Sequence, residues 1–580
     1  MIRSGFKALV CMLAVLVAGA RASGQAQTAA VPVKVTEKWV FVWNKAVGDE
    51  QWDKTAALIE RIAKAGYTTA FLSDGMVYKP DIASDMESQK RVQRLIKACR
   101  EQNLKVVMAS ASSPLAYDPT LAEGMPVVDA PFVVKDGKVV PGELEMSVDN
   151  PSFETAGKDG VPERWFMEFA PKAFAVDNQG AFDGKTCIRM TDIKGVVPED
   201  ACVITQTIKV KKHRYYHMTA QIKTKDFENP GSVMFGPTVG PPGDRYGLNH
   251  NIFDVAKTQD WKKYEIIFDT MDREEIDLHL GAWGAGKGTI WFDDVRIEPG
   301  GLVNLIRRDS LPLRVTSDDG SVTYEEGKDF SAVHDEKTGH VGPLGNFNRW
   351  HEAPVISIVE GGKIRPGQTL RLSYYHSVMT YDWGVMHCLN EPKTREIAQQ
   401  QLHLIHTLFG PDGYFMPYDE MRFQGWDRGC QQSNKTPGQA LAEDVKFHTA
   451  AIRKEGPGKP IYVWNDMFDP NHNAGKAKHY YLVKGNDPWW GSWEGLDKDV
   501  IIINWMSEAA ARRKSLEFFA GRGNKQILAG FYDAPIENIV PWLEDASHVE
   551  GVQGVMYTTW ADDFSKLEAW MGKVMEASAK

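Results

Sequence analysis

The sequence has few cysteines, and none of them shows the close spacing that is typical of zinc ligands. Six cysteines occur in 580 residues, and no Cys-x-x-Cys pair is present, so the spacing does not indicate a zinc finger or ribbon. Cys11 lies in a segment that we expect to be removed, which leaves an odd number. Cys187 and Cys202 flank neighbouring predicted strands and are candidates for one disulfide in an oxidising compartment. Burial as small apolar side chains is the alternative interpretation.

Long basic runs and long apolar runs are missing as well. The formal net charge is −10, and lysine and arginine are not clustered anywhere along the chain. Binding to a phosphate backbone needs clustered cations, so we do not predict a nucleic-acid partner. No run approaches the roughly 20 apolar residues of a transmembrane helix. We therefore predict no membrane span.

The first 22 residues have the pattern of a signal peptide. Arg3 and Lys7 precede an apolar run over residues 8–18, and the small-x-small site for cleavage ends at Ala22, with Ala26 as a later option. Cleavage after residue 22 would change the formal net charge from −10 to −13. We therefore expect an exported protein that is periplasmic or secreted.

Aromatic residues are abundant, with 18 Trp, 18 Tyr and 25 Phe. Indole and phenol rings stack on the apolar faces of sugars, so this surplus favours a protein that handles glycans. The alternative is that large barrels and sandwiches use tryptophan in their cores.

Strand and helix patterns alternate at both ends of the chain, which predicts an α/β protein with a (β/α)8 TIM barrel. The eight predicted strands are residues 38–43, 68–73, 104–109, 414–418, 460–464, 500–505, 526–531 and 552–558. Helices are predicted around residues 89–102 and 395–409, and a third begins at Thr436 as N-cap with Pro437 in the first turn. We assign residues 31–146 and 386–580 to this catalytic barrel.

Between the third and fourth barrel strands, the pattern changes to short alternating runs separated by Gly, Pro and Asp turns. This pattern is typical of an all-β sandwich. We assign residues 147–300 to an inserted jelly roll, and residues 301–385 to a further β-rich segment of the insertion because no helical pattern separates its runs.

The first and last strands of the predicted sandwich resemble those of carbohydrate-binding modules of families 4 and 9. The resemblance rests on Asn150-Pro151-Ser152-Phe153-Glu154 and on the closing Ile290-Trp291-Phe292-Asp293-Asp294-Val295-Arg296-Ile297. It implies a structural calcium ion between the two strands, with Glu154 and Asp294 as ligands. It also implies a domain that either binds glycan or serves as a spacer.

Carboxylates and large aromatic residues occur where the predicted barrel strands end, which is where the active sites of such barrels lie. The strand ends carry Trp43-Asn44, Asp74, Ser110, Asp419-Glu420, Trp464-Asn465-Asp466, Trp505, Tyr532-Asp533 and Trp560. Aromatic rings can line a sugar pocket, and carboxylates bind sugar hydroxyls or transfer protons. Structural chance could supply one or two such ends, but it is a weaker explanation for nearly all of them. The predicted substrate-binding residues are Asp74, Trp464, Asp466, Trp505, Tyr532, Asp533 and Trp560.

The segment from residue 390 to residue 426 resembles the family-20 β-hexosaminidases. Asn390-Glu391-Pro392 opens a helix, Gly410-Pro411-Asp412 turns the chain, and the next strand ends in Asp419-Glu420, with Trp426 shortly after. The resemblance implies substrate-assisted retaining cleavage of N-acetylhexosamine-containing glycans without a catalytic cofactor. It assigns Glu420 as the general acid, with a pKa raised by burial beside tryptophan and by the neighbouring charge of Asp419. It assigns Asp419 to orient the 2-acetamido group.

The same resemblance implies that Trp464, Trp505 and Trp560 line the pocket and that Tyr532 hydrogen-bonds the acetamide. Three alternatives stay open. The His-x-Gly-Gly run that usually precedes the pair is replaced by Phe415-Met416-Pro417-Tyr418, so a related barrel family acting on non-acetamido sugars is one alternative. A catalytically inactive, glycan-binding barrel is another. A third uses Glu391 as the acid/base, although Asn390-Glu391-Pro392 is better explained as a helix start.

Overall fold

The computed structural model describes most of the chain. The described residues are 33–579 without 76–81, 111–114, 117, 158–159, 168–172, 192–201, 229–232, 240–245, 248–252, 254, 283–286, 340–349, 381–383 and 478. The predicted signal peptide and its cleavage sites therefore lie outside the described residues.

A closed barrel of eight parallel strands forms the first layer of the fold. Its strands, each hydrogen-bonded to the next, are β1 Glu37–Trp43, β2 Thr69–Ser73, β3 Lys105–Ala109, β4 Gly413–Met416, β5 Ile461–Trp464, β6 Ile501–Asn504, β7 Gln526–Phe531 and β8 Val552–Thr558. Every residue of β2 and of β7 is buried, as expected for parallel strands that are covered on both faces. The eight predicted strands are confirmed as the barrel strands, and β3 pairs with β4 although residues 110–412 lie between them.

Helices cover the outside of the barrel. They are α1 Asp49–Lys64, α2 Met86–Glu101, α3 Pro392–Phe409, α4 Arg428–Gln432, α5 Pro437–Glu455, α6 Ala509–Gly521, α7 Ile539–Ala546 and α8 Leu567–Ser578. The connection from β5 to β6 contains the 3-10 turn Ser492–Gly495. Helix α5 starts as predicted, since Thr436 and Gln439 form a reciprocal capping box. Within the described part of the chain, no helix is long and apolar enough to cross a membrane.

Two five-stranded antiparallel sheets form a sandwich in the inserted region. The first has Tyr246–Gly247, Val233–Val239, Glu275–Ala282, Cys202–Lys209 and Phe166–Met167, in that order. The second has Gln259–Asp269, Tyr215–Lys225, Thr289–Pro299, Cys187–Thr191 and Phe174–Asp177. Ile204 and Leu280 of the first sheet share one buried core with Met218 and Phe292 of the second. Apolar residues facing that core alternate with polar ones, which explains the pattern seen in the sequence.

A six-stranded sheet accounts for the rest of the insertion. Its order is Thr323–Tyr324, Arg314–Ser317, Thr369–Ser377, Gly124–Lys135, Lys138–Pro141 and Ile356–Ser357. Residues 124–141, which the sequence grouped with the barrel, thus pair with strands of the β-rich segment. The pairing partner of Gly124–Lys135 is Thr369–Ser377, so no local pattern could indicate this pairing. Two small sheets, Met379–Thr380 with Gly384–Met386 and Leu115–Ala116, and Phe423–Gln424 with Leu482–Val483, complete the connections.

The disulfide considered between Cys187 and Cys202 is wrong. Cys187 is a free, buried cysteine, and its thiol lies 3.6 Å from the carbonyl oxygen of Asp177. The two cysteines begin strands of different sheets of the sandwich. Proximity in the predicted strand order therefore did not translate into proximity in space.

Candidate active site

Three carboxyl groups meet where β4 and β5 end. Asp419 and Glu420 follow β4, and Asp466 follows β5. The backbone N–H of Glu420 donates to Oδ2 of Asp466 at 2.9 Å. Glu420 has a φ of +38°, a left-handed conformation that is uncommon outside glycine. The hydrogen bond from the neighbouring strand end helps to hold Glu420 in this conformation.

Asp466 accepts hydrogen bonds from several neighbours. Its side chain is fully buried, and its oxygens also accept from Nδ2 of Asn473 at 2.9 Å and from Nε1 of Trp505 at 3.3 Å. Burial raises the pKa of Asp466 to about 7, and the charge of Glu420 adds to the rise. Asp466 was predicted to bind substrate, and the structure places it as the group that positions Glu420 and Trp505.

Asp419 is the carboxyl of the adjacent pair whose surroundings favour the protonated form. Burial raises its pKa well above the usual range, and the charges of Asp466 and Glu420 raise it further. Because ionising it would place a second negative charge beside its neighbours, Asp419 retains a proton under conditions that ionise an ordinary aspartate.

Glu420 has a different environment from the one predicted. Nη2 of Arg422 donates to its Oε2 at 2.8 Å, and 33% of the Glu420 side chain is exposed. The guanidinium of Arg422 also lies 4.7 Å from the ring centroid of Tyr481. The sequence predicted that Glu420 would be the protonated member of the pair, whereas the structure raises the pKa of Asp419 and gives Glu420 a cationic partner. Arg422 could not be selected from the sequence, because an arginine two residues after the pair has no motif of its own.

An arc of aromatic rings borders these carboxyl groups. Ring centroids are 6.1 Å apart between Trp43 and Trp560, 6.4 Å between Trp560 and Tyr532, and 6.5 Å between Tyr532 and Trp505. The rings follow the ends of β1, β8, β7 and β6, so the barrel closure brings them together. Burial raises the pKa of Tyr532 well above its usual range, and the charges of Asp419, Asp466 and Glu420 contribute. The phenol of Tyr532 therefore lies near the carboxyl cluster, which Trp505 also reaches through its hydrogen bond to Asp466.

The end of β7 has an unusual backbone. Phe531, Tyr532 and Asp533 have φ values of 83°, 48° and 61°, a run that costs conformational energy and is typical of functional sites. The carboxylate of Asp533 accepts from the backbone N–H of Trp560 at 2.9 Å and of Ala561 at 3.0 Å. Asp533, predicted to bind substrate, thus fixes the segment that carries Trp560.

Two other predicted residues are part of the barrel's interior. Trp464 is 4% exposed and packs its ring edge-on against Phe415 at 5.1 Å. Asp74 is buried and accepts from the backbone N–H of Ala46 at 2.9 Å. Both side chains are therefore held by the protein at the strand ends, Trp464 against β4 and Asp74 against the loop that follows β1.

His472 joins the site from the loop after β5. Its ring centroid lies 4.3 Å from that of Trp505, and burial lowers its pKa to about 4. His472 is therefore a neutral ring over the whole neutral pH range. Sequence analysis missed it, because a histidine in a loop such as Pro470-Asn471-His472-Asn473 carries no periodicity or motif.

Glu391 begins a helix and does not follow a barrel strand. It is the N-cap residue of α3, and its side chain accepts from the backbone N–H of Lys393 at 3.4 Å. Its Oε2 lies 3.1 Å from Nε of Arg308. Glu391 therefore caps the helix whose start Asn390-Glu391-Pro392 was predicted to mark. This position removes Glu391 from the acid/base role.

The two predicted calcium ligands have protein partners. Oε1 of Glu154 accepts from the backbone N–H groups of Lys185 and Thr186, both at 2.7 Å. Oδ1 of Asp294 accepts from Nε of Arg296 at 2.6 Å. Neither residue belongs to a group of three or more metal-ligating side chains among the residues that the structure describes. The calcium site stays a prediction.

Comparison with known proteins adds a limited likeness. No protein-family model matches the chain, and no curated protein matches it. Solved structures similar to part of the chain include a family-4 carbohydrate-binding module, at 18% identity over 26% of this chain and 99% of that one, with a TM-score of 0.22. A family-61 module in complex with β-1,4-galactotriose matches at 18% identity, over 27% of this chain and 99% of that one, with a TM-score of 0.20.

A family-22 xylan-binding domain from Paenibacillus barcinonensis matches at 18% identity. It covers 26% of this chain and 90% of that domain, with a TM-score of 0.19. These three similar structures are carbohydrate-binding modules, and each covers about a quarter of this chain. At this identity and TM-score the likeness does not extend to function.

Proposed function

We propose that this protein is an exported glycoside hydrolase, in which a (β/α)8 barrel carries catalysis and a jelly-roll sandwich is inserted after its third strand. The observation that carries the proposal is the position of Asp419 and Glu420 beside the arc of Trp43, Trp560, Tyr532 and Trp505. Most glycosidases cleave the glycosidic bond with a pair of carboxyl groups, and rings that stack on a sugar would hold it beside such a pair.

The two adjacent carboxyl groups have separate roles, since their surroundings differ. Asp419 keeps a proton because desolvation and the charges of Asp466 and Glu420 raise its pKa, and a proton donor is what the leaving oxygen needs. Glu420 pairs with Arg422 and acts as the anion of the pair. This assignment exchanges the roles that the resemblance to family-20 enzymes implies.

The substrate class that we propose is the N-acetylhexosamine-containing glycans, cleaved with retention by substrate assistance. The acetamide oxygen attacks the anomeric carbon while the bond to the leaving group breaks, and Asp419 transfers its proton to the leaving oxygen. Glu420 accepts the acetamide N–H, and the phenol of Tyr532 donates to the acetamide oxygen. Water then opens the cyclised intermediate, with Asp419 as the base. Non-acetamido hexosides are the alternative substrates for the same carboxyl pair.

A glycan-binding barrel without turnover is the second candidate function. It is favoured by the engagement of both oxygens of Asp466 and of Oε2 of Glu420 by protein donors. Carboxylates held in this way stabilise loops and do not need to react. The aromatic arc would then be the whole binding surface.

A screen of the mature protein against aryl glycosides and natural glycans tests the proposal. We expect turnover of N-acetylhexosaminides and its loss in the double variant Asp419→Asn/Glu420→Gln. Calorimetric titration with the best substrate's product serves as the matched binding measurement. Binding without turnover of any member of the panel would contradict the enzyme and support the glycan-binding barrel. Turnover restricted to 2-hydroxy sugars would keep the enzyme and discard substrate assistance.

A further inference from the structure

A second buried cluster, distinct from the candidate active site, brings together two thiols and two carboxyl groups. Its members are Glu123, Cys388, Asp427 and Cys430, and one ligand atom of each lies within 4.8 Å of all the others. Glu123 precedes the strand Gly124–Lys135, and Cys388 follows the strand Gly384–Met386. Asp427 is the N-cap residue of α4, in which Cys430 lies. All four side chains are buried, so their chemistry is shielded from water.

The distances within this cluster match those expected around one zinc ion. Sγ of Cys388 lies 3.7 Å from Sγ of Cys430, and Sγ of Cys430 lies 3.2 Å from Oε2 of Glu123. A tetrahedron with bonds of about 2.3 Å to sulfur and about 2.0 Å to oxygen has edges of about 3.8 Å between sulfurs and about 3.5 Å between sulfur and oxygen. These two distances are therefore close to the edges of such a tetrahedron, and all four ligand atoms lie within 4.8 Å of one another.

Surrounding donors hold these ligands in place, as outer-shell groups do in metal sites. The backbone N–H groups of Trp426 and Asp427 donate to Oε1 of Glu123 at 2.6 and 2.9 Å, which turns Oε2 towards the cysteines. Nδ2 of Asn390 donates to Sγ of Cys430 at 3.1 Å, a contact that stabilises a thiolate. The guanidinium of Arg308 donates to Oδ2 of Asp427 at 2.7 Å.

The acidic groups of the cluster favour the binding of a dication. Two carboxyl groups and two thiols are buried together, and Arg308 is the cation bonded to one of them. A bound Zn²⁺ would stabilise both carboxylates and would keep the thiols as thiolates.

We propose that Glu123, Cys388, Asp427 and Cys430 bind one zinc ion in a closed, structural site. The mixed sulfur and oxygen set selects zinc over calcium or magnesium, since those hard cations bind oxygen and not thiolate. The ligands lie far apart in the sequence, and this explains why no Cys-x-x-Cys spacing indicates them.

The position of this zinc site indicates that it joins the insertion to the barrel. Glu123 lies where the chain passes from the barrel into the six-stranded sheet, and Cys388 lies where it returns before α3. Asp427 ends the loop that begins at Glu420. One ion thus ties both crossings of the insertion to the loop that carries half of the catalytic pair.

Metal analysis of the full mature protein, purified without chelator, tests this proposal. We expect about one zinc per chain, and we expect the cobalt-substituted protein to show thiolate-to-cobalt charge-transfer absorption. Cys388→Ser and Cys430→Ser should each lose most of the metal and the absorption band. Cys99→Ser is the matched control, because Cys99 is a buried cysteine of α2 outside the cluster, and it should keep both.

The wild-type chain gives a second readout in case the cysteine variants do not fold. A strong chelator with reductant should lower the Tm, and zinc should restore it while calcium should not. A chain that binds no zinc after reconstitution under reducing conditions would overturn the proposal. So would a Cys388–Cys430 disulfide found in freshly isolated protein by peptide mass mapping, since it would consume both thiolates. Glycoside turnover is not needed for either readout, so failure here is separate from failure of the proposed function.

Discussion

The backbone N–H of Glu420 donates to the carboxylate of Asp466 across 2.9 Å, and this bond joins the end of β4 to the end of β5. A buried acid therefore holds the main chain of the residue that was expected to donate the proton. The relationship explains why three carboxyl groups with unequal environments occur together. Asp466 holds the main chain of Glu420, Asp419 keeps a proton, and Glu420 is paired with Arg422.

Replacing Asp466 should change how stability depends on pH. Its pKa rises from an ordinary aspartate value to about 7 on folding, so between about pH 4 and 7 the folded state binds a proton that the unfolded state has lost. The free energy of unfolding therefore falls as pH rises through this window, by at most about 1.4 kcal/mol per pH unit for one group. Asp466→Asn should remove this component.

Urea unfolding of both proteins at pH 4, 5.5 and 7 measures the difference. The difference in the free energy of unfolding between wild type and Asp466→Asn should shift steadily in favour of the variant as the pH increases. A gap that stays constant across the three values would show that Asp466 is not the titrating group. Asp562→Asn, at a surface acid paired with Lys45, is the control and should leave the gap near zero.

Leaving-group dependence should identify the proton donor. Asp419→Asn should lower turnover of glycosides with poor leaving groups by about 10²- to 10⁴-fold, and should affect those with acidic phenols much less, because these leave without protonation. Glu420→Gln should lower turnover of both classes similarly. Steady-state kinetics with a graded series of aryl glycosides gives the slopes. The opposite pattern would restore the roles that the resemblance implies, and wild-type rates in both variants would remove the pair from catalysis.

Loss of one ring from the aromatic arc should weaken substrate binding more than it changes the chemical step. Trp560→Ala removes the ring that contacts both Trp43 and Tyr532. We expect KM to rise by about 3- to 10-fold, in line with the energy of one aromatic contact, with kcat less affected. Trp490→Ala is the control, because Trp490 is an exposed tryptophan that packs on Trp493 and not on the arc. Equal effects of the two variants would argue against stacking on the arc.

Asp533 should act through the position of Trp560. Asp533→Ala removes the acceptor for the backbone N–H groups of Trp560 and Ala561, so the free energy of unfolding should fall by about 0.5–1.5 kcal/mol. KM should rise as in Trp560→Ala. The double variant should then show little more than either single change, because both act on the same ring. Fully additive effects on KM would instead indicate that Asp533 contacts the substrate directly.

Much of the fold could be predicted because the signals are local. Continuous apolar runs marked the buried parallel strands, and all eight occur in the barrel. Thr436 and Pro437 marked the start of α5. The partner of Gly124–Lys135 could not be predicted, because it is supplied by a strand far along the chain. For the same reason, the free state of Cys187 depends on which sheet each strand joins.

The sequence by itself determined which residues end the barrel strands, and hence that Asp419, Glu420, Trp505, Tyr532 and Trp560 gather at one face. Only the tertiary structure decided what each of them does. The raised pKa of Asp419 beside Asp466 and the cluster of Glu123, Cys388, Asp427 and Cys430 both depend on atoms that meet across different elements. Hydrophobic periodicity is a property of single elements, whereas pKa values and ligand geometry depend on distances between elements that only the folded chain defines.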